Sequence, residues 1–321
     1  MDTIAKLRDT ELHKVSAPTA IAMHAALEKK RSSILEVPRK TFKYGPTDRH
    51  KLDVYYPCRR DHFIDTAPIL IFIYGGGFDS GERAFPAPFD LAYACVGSYF
   101  ARQGFLTVIP DYRLAPRARF PDCAEDVRDA VDWVVHNPNR LTIPGSSIPD
   151  MNSLFIMGHS AGAVHLSTML LLPEILSRTT WCSRISGIIL NGGAYHFHEK
   201  ECGYPGTHAV VQYWGGWEEA RMNVPYALLC RAPLPIIGSL PKILIVEAER
   251  EPSWVLVAGK DFLSKLEERS MRRIPKVTAR GHNHVSSNWT LGTGQGEEWA
   301  EKVGEWMKLN RPAPQPLVCR L

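Results

Sequence analysis

The sequence predicts an α/β fold, a mostly parallel sheet with helices on both faces and a helical cap. Three observations point to it. Short apolar runs rich in isoleucine, leucine and valine occur at 69–74, 105–110, 154–157, 187–191 and 243–246, and such runs suit strands buried on both faces. Segments of helical periodicity lie between them, and this alternation calls for right-handed crossovers around a parallel sheet. One stretch, 195–240, breaks the rhythm with aromatics, prolines and glycines, and its simplest place is over the carboxyl ends of the strands, where ligands bind in such folds.

Taken in order, residues 1–40 carry a helical pattern, clearest from Ala20 to Leu27, and read as an N-terminal cap segment. Lys40-Thr41-Phe42-Lys43-Tyr44 and Leu52-Asp53-Val54-Tyr55-Tyr56 then alternate in polarity across a Gly45-Pro46 turn, as an antiparallel edge pair would. Ala124, Val127, Val131 and Val134 recur at helical spacing, so 122–136 is expected to be an amphipathic helix ending near Asn137-Pro138. Further helices are expected from about 161 to Pro173, at 253–268 and at 296–309. The resulting organisation is a core of 41–194 and 241–321 with a cap insertion at 195–240, in which Tyr195, Phe197, Tyr204, Tyr213, Trp214, Trp217 and Tyr226 are concentrated. No Gly/Ser-rich linker divides the 321 residues, so one domain is expected.

Composition narrows the function. A net charge of +4 with scattered basic residues argues against nucleic-acid binding. No apolar stretch approaches the roughly 18 residues of a membrane span, and the N-terminus lacks a basic segment followed by an apolar one. A soluble, cytoplasmic protein is the expectation. Cys58, Cys95, Cys123, Cys182, Cys202, Cys230 and Cys319 are dispersed without Cys-x-x-Cys spacing, which suits reduced structural thiols.

The residues that carry chemistry lie in three glycine-bearing segments. Gly158-His159-Ser160-Ala161-Gly162, after an apolar run and before a helix, fits the sharp strand-to-helix turn that presents a serine nucleophile. Gly75-Gly76-Gly77 follows another run, and without β-carbons its backbone N–H groups can approach a substrate and receive an oxyanion together with that of Ala161. Near the end, His282 and His284 compete as the base. The acid that orients the base belongs after the strand at 243–246; Glu247, Glu249, Glu251 and the more distant Asp261 are candidates, with Glu251 preferred before Pro252. Serine, acid, histidine is the chain order of α/β-hydrolases, and it excludes the trypsin-like and subtilisin-like orders.

Asp111-Tyr112-Arg113-Leu114-Ala115-Pro116, then Phe120-Pro121 and a helix containing Trp133-Val134, accompany the serine motif. With these, residues 45–310 resemble the hormone-sensitive-lipase-like (fold-3) branch of α/β-hydrolase carboxylesterases, which includes many microbial and fungal enzymes. The resemblance implies an eight-stranded sheet, Ser160 as nucleophile, Gly76, Gly77 and Ala161 as oxyanion donors, Glu251 as acid and His284 as base. This chain departs from the pattern at Tyr74, where histidine is usual, and at Glu251, where aspartate is usual. The implied activity is cofactor-free hydrolysis of small to medium apolar carboxylic esters. The aromatics of 195–226 read mainly as cap core, with a few lining the substrate pocket, Trp214 and Trp217 foremost. The rivals are amide or formamide hydrolysis of the kynurenine formamidase kind, a specialised hydrolase or lyase using the same triad, and a non-catalytic small-molecule receptor. Asp111 and Arg113 are read as structural. His196-x-His198 has metal-ligand spacing but no third ligand, so no metal site is expected. An edge strand in the C-terminal part of the sheet could pair two subunits into a homodimer.

Overall fold

The computed structural model describes residues 1–58, 66–197 and 207–312. Eight strands form one sheet: β1 (Arg39–Lys43), β2 (Lys51–Tyr55), β3 (Thr66–Ile73), β4 (Leu106–Pro110), β5 (Ile148–His159), β6 (Ile185–Asn191), β7 (Ile243–Arg250) and β8 (Lys276–Asn283). Their order is β1-β2-β4-β3-β5-β6-β7-β8. The pairs β1/β2 and β2/β4 are antiparallel, and every later pair is parallel. This is the α/β-hydrolase architecture.

The apolar runs form the strands at the centre of the sheet. Residues 69–73 of β3, 106–109 of β4 and 154–157 of β5 are fully buried, as expected of strands covered by helices on both sides. On one face, helix Asp122–His136 packs against helix Ala161–Leu171; its buried residues include Ala124, Val127, Val131 and Val134, the stripe read from the sequence. On the other face lie helices Ala94–Arg102 and Glu298–Leu309, where an added Gly304 Cβ would stand 2.2 Å from Gln103 Oε1. Helix Ser253–Ser270 packs on helix Pro225–Arg231, which also touches Ala161–Leu171.

One strand differs from expectation, and the expected N-terminal helix carries a proline. The eighth strand, β8, was not anticipated from an apolar run, because it lies at the sheet edge and exposes much of its length. The N-terminal helix spans Leu12–Glu28, although Pro18 lies inside it. Val15, Thr19, Met23 and Leu27, one every four residues, are its buried stripe, so tertiary packing outweighs the backbone hydrogen bond that proline removes. That helix packs on the short helix Ser286–Trp289, and Asn283 Nδ2 donates to Thr19 Oγ1 at 2.8 Å. The preceding segment Asp2–Lys6 packs against β8, the edge at which the sequence suggested a subunit contact.

Asp111 and Arg113 brace the end of β4. Arg113 donates from its backbone N–H and from Nη2 to the buried Asp126, both at 2.8 Å. Asp111 accepts the backbone N–H of Arg83 at 2.6 Å and is also paired with the Arg83 guanidinium.

Candidate active site

The turn between β5 and helix Ala161–Leu171 places Ser160 at φ 53°, ψ −123°, a conformation that costs a residue with a β-carbon of order 1–3 kcal/mol. The flanking glycines allow the close approach that holds it. A β-carbon on Gly158 would stand 2.7 Å from Ala163 Cα, and one on Gly162 would stand 2.2 Å from the carbonyl oxygen of Ile73.

The loop after β3 runs directly beside this turn. A β-carbon at Gly75 would lie 2.6 Å from Ser160 Cβ. Gly76 and Gly77 have φ of 148° and 61°, values that L side chains rarely adopt. Behind the loop, Tyr74 is fully buried. Its hydroxyl donates to Asp111 Oδ1 at 2.6 Å and accepts from Arg49 Nη2 at 2.9 Å. Burial, with Asp111 nearby, holds the Tyr74 hydroxyl well above the usual phenol range, so it remains a donor. Arg49 Nη2 also reaches the carbonyl of Gly81 at 2.8 Å, and Tyr112 Oη donates to the Tyr74 carbonyl at 2.8 Å. Tyrosine at position 74 therefore fastens the glycine loop to the end of β4 through a buried polar network.

His284 follows the end of β8. Its Nε2 lies 2.9 Å from Ser160 Oγ, and its Nδ1 lies 2.5 Å from Glu251 Oε2. A carboxylate only accepts, which puts the proton on Nδ1 and leaves the Nε2 lone pair facing the serine hydroxyl. Glu251, 2% exposed, is held in turn by the backbone N–H of Ala248, 3.2 Å from its Oε1. Gly192, at φ 55°, leaves room for this pair, since a β-carbon there would stand 2.8 Å from Glu251 Oε1.

The other candidates are occupied elsewhere. Lys276 Nζ contacts Glu247 at 2.6 Å, Glu249 accepts the Gly281 N–H at 2.6 Å, and Asp261 meets His196 at 3.0 Å. His282 is buried between Ser286 Oγ at 3.0 Å and the Gly296 carbonyl at 2.7 Å, and burial lowers its pKa. His198 lies outside the described residues, as do Cys202, Tyr204 and Cys319. Among the described residues no group of three or more His, Cys, Asp or Glu could hold a metal ion.

A cavity of about 420 Å³ opens over Ser160 and His284. Phe85, Tyr93 and Trp289 supply its aromatic wall, and Leu12 and Ser16 of the N-terminal helix border it. Trp214 and Trp217, expected here, are not among its lining residues. Trp214 instead packs with ring centroids 4.9 Å from Phe78 and 4.7 Å from Tyr213, inside a buried aromatic cluster. Of the lining residues missed from the sequence, Trp289 was the most accessible, being only five positions after His284. Phe85 and Tyr93 lie in the irregular stretch before helix Ala94–Arg102 and had no local signal.

The family described as BD-FAE matches residues 52–205, the stretch that carries the glycine loop, Asp111 to Pro116 and Ser160. The chain resembles the hormone-sensitive-lipase-like carboxylesterases and is similar to esterases of bacteria, plants and fungi. The chain is 30% identical to Esterase LipC of Mycobacterium tuberculosis over 185 residues, 57% of this chain and 38% of that protein. It is 27% identical over 246 residues to the isoprenylcysteine alpha-carbonyl methylesterase ICME of Arabidopsis thaliana, 71% of this chain and 52% of that one. A probable carboxylesterase, M8, of a Phoma species is 31% identical over 144 residues, 42% of this chain and 43% of that one. The chain thus spans about half or less of the length of these curated relatives. Among solved structures, an esterase of the archaeon Pyrobaculum calidifontis superposes with a TM-score of 0.65 at 21% identity, covering 96% of this chain and 95% of that one. Esterase B of Lactobacillus rhamnosis gives 0.66 at 16% identity, covering 90% and 96%. Both establish the likeness of fold.

Proposed function

We propose that the protein is a serine hydrolase of carboxylic esters acting through an acyl-enzyme on Ser160. The observation that carries this reading is the continuous hydrogen-bonded line from Ser160 Oγ through His284 to Glu251, at 2.9 and 2.5 Å. His284 Nε2 takes the hydroxyl proton as Oγ attacks the ester carbonyl, and the buried Glu251 stabilises the imidazolium that results. The carbonyl oxygen, now negative, turns toward the N–H groups of Gly76, Gly77 and Ala161. His284 then returns the proton to the departing alcohol. Water, deprotonated by the same ring, attacks the acyl carbonyl and releases the acid with Ser160 restored. Each proton taken is given back, so the cycle needs no external acid, base or oxidant.

Substrates of small to medium size and apolar character fit a 420 Å³ cavity walled by Phe85, Tyr93 and Trp289. Among its described lining residues Asp79 is the one side chain of fixed charge, which disfavours anionic substrates. The five described cysteines are free, and this supports a reducing, cytoplasmic setting.

A panel of p-nitrophenyl esters of rising acyl length tests the reading, together with fluorophosphonate labelling. Turnover of the short esters and labelling that disappears in Ser160→Ala are expected. Labelling without turnover of any ester, but with turnover of an amide or formamide, would move the substrate class while keeping the triad. Absence of labelling would remove the nucleophile and with it the proposal.

A further inference from the structure

His159 fills the variable position of the turn, directly before Ser160, and the acyl-transfer cycle leaves it unused. Its ring is buried, borders the cavity and lies with its centroid 4.8 Å from that of His284, the planes inclined by 38°. His159 Nε2 is 2.9 Å from the backbone carbonyl oxygen of His284. A carbonyl oxygen only accepts, so the proton of this bond belongs to His159 Nε2. The ring's other nitrogen, Nδ1, is buried and has no hydrogen-bond partner among the described residues. It points toward Gly75, where an added β-carbon would stand 3.2 Å away.

His284 sits between the last residue of β8, Asn283, and the helix that begins at Ser286, in a bend where the regular ladder of the sheet has ended. A donor that grips the carbonyl of this residue fixes the backbone from which the imidazole projects. We propose that His159 is a positioning residue for the general base, its Nε2–H anchoring the His284 carbonyl so that the His284 ring meets Ser160. The proposal rests on the serine-hydrolase reading above.

The chemistry explains why histidine suits this position. Aspartate or glutamate would bring lone pairs against a carbonyl oxygen. Lysine would set a permanent cation beside a ring that must itself become cationic during the reaction. Burial pushes His159 down to about 3, so it supplies a donor without a charge. Glutamine is the uncharged side chain whose amide nitrogen can reach the place of Nε2; asparagine also donates but is shorter by a methylene.

His159→Gln, His159→Asn and His159→Leu, measured on p-nitrophenyl esters and by the rate of fluorophosphonate labelling, test the assignment. His159→Gln is expected to keep kcat within about threefold of the parent, while His159→Asn and His159→Leu lose about 10- to 100-fold in kcat and labelling rate with KM changed less than about twofold. A merely structural role would not yield rescue by glutamine together with a loss confined to kcat. If His159→Leu keeps the parent's melting temperature and reacts as fast, or if glutamine and asparagine are equally impaired, the anchoring role is wrong. Should His159→Leu fail to fold, the comparison of glutamine with asparagine decides alone. A parent protein that takes fluorophosphonate but no ester overturns the ester reading only, and the positioning role is then read from the labelling rates. One that takes neither overturns both.

Discussion

Glu251 in place of aspartate lengthens the acid by one methylene, and the site accommodates it from the bend after β7. Its two oxygens are divided between His284 Nδ1 and the Ala248 N–H, so both the tautomer and the orientation of the ring depend on a carboxylate. Glu251→Gln is expected to keep the fold and lower kcat by about 10³–10⁴, because an amide nitrogen turned toward Nδ1 favours the wrong tautomer. Steady-state kinetics on a short-chain ester, with near-ultraviolet circular dichroism as the control for folding, checks this; activity near that of the parent would remove Glu251 from the relay. At this scale much was legible. The serine, the histidine and the acid each stand in a recognisable local setting, and the proline after Glu251 favoured it over its neighbours. What no local pattern displayed was the place of Glu247, Glu249 and His282, each tied to a partner on another segment.

The glycine loop after β3 acts as a unit because Tyr74, Arg49, Asp111 and Arg83 hold it from behind. Tyr74→Phe removes the hydroxyl that lies between Asp111 Oδ1 and Arg49 Nη2. The expected cost is about 1.5–3 kcal/mol of stability, the range for a hydrogen bond to a charged group. A fall in kcat should accompany it as the loop loses its register beside Ser160. Urea unfolding and ester kinetics on the same variant would test both, and an unchanged kcat would show that the loop is held without the tyrosine. Among the elements, helix Asp122–His136 was readable to its ends, since a continuous stripe of buried valines and alanines sets its period and prolines flank it. The edge strand β8 was not, because an edge exposes alternate residues to water and leaves no apolar run. Helix Leu12–Glu28 was clearest from Ala20 to Leu27, and its continuation through Pro18 rests on packing against another part of the chain.

Across the whole molecule, buried neutral histidines give the fold a defined response to acid. Burial lowers His159 and His165 to about 3 each, well below the unfolded value of about 6.5. Above pH 6.5 neither state holds the extra protons and these groups leave stability unchanged. Between about 6.5 and 3 the unfolded chain binds protons that the native state refuses, so stability falls as pH falls, by up to about 1.4 kcal/mol per pH unit for each group. Below about 3 their contribution to the slope ends. His165 sits edge-on to Phe78 and Tyr112 and is not among the residues lining the cavity over Ser160, which makes it the cleaner probe. His165→Phe should show a shallower loss of unfolding free energy from pH 6.5 to 5 than the parent; an equal slope in denaturant titrations would exclude His165 as a source.

The sequence by itself determined the architecture and the chemical vocabulary of the site. Buried strands must be continuously apolar, amphipathic helices must repeat their apolar face, and a serine on a sharp turn must be flanked by glycine. All three constraints act over a few neighbouring residues and leave a readable trace. Only the tertiary structure decided which side chains face the cavity. Leu12, the pair Phe85 and Tyr93, and Trp289 come from three segments far apart in the chain, while Trp214, an aromatic of the expected kind in the expected insertion, turns inward onto Phe78. Pocket walls are assembled by packing between distant elements, and the free energy that orients them comes from contacts that no local pattern records.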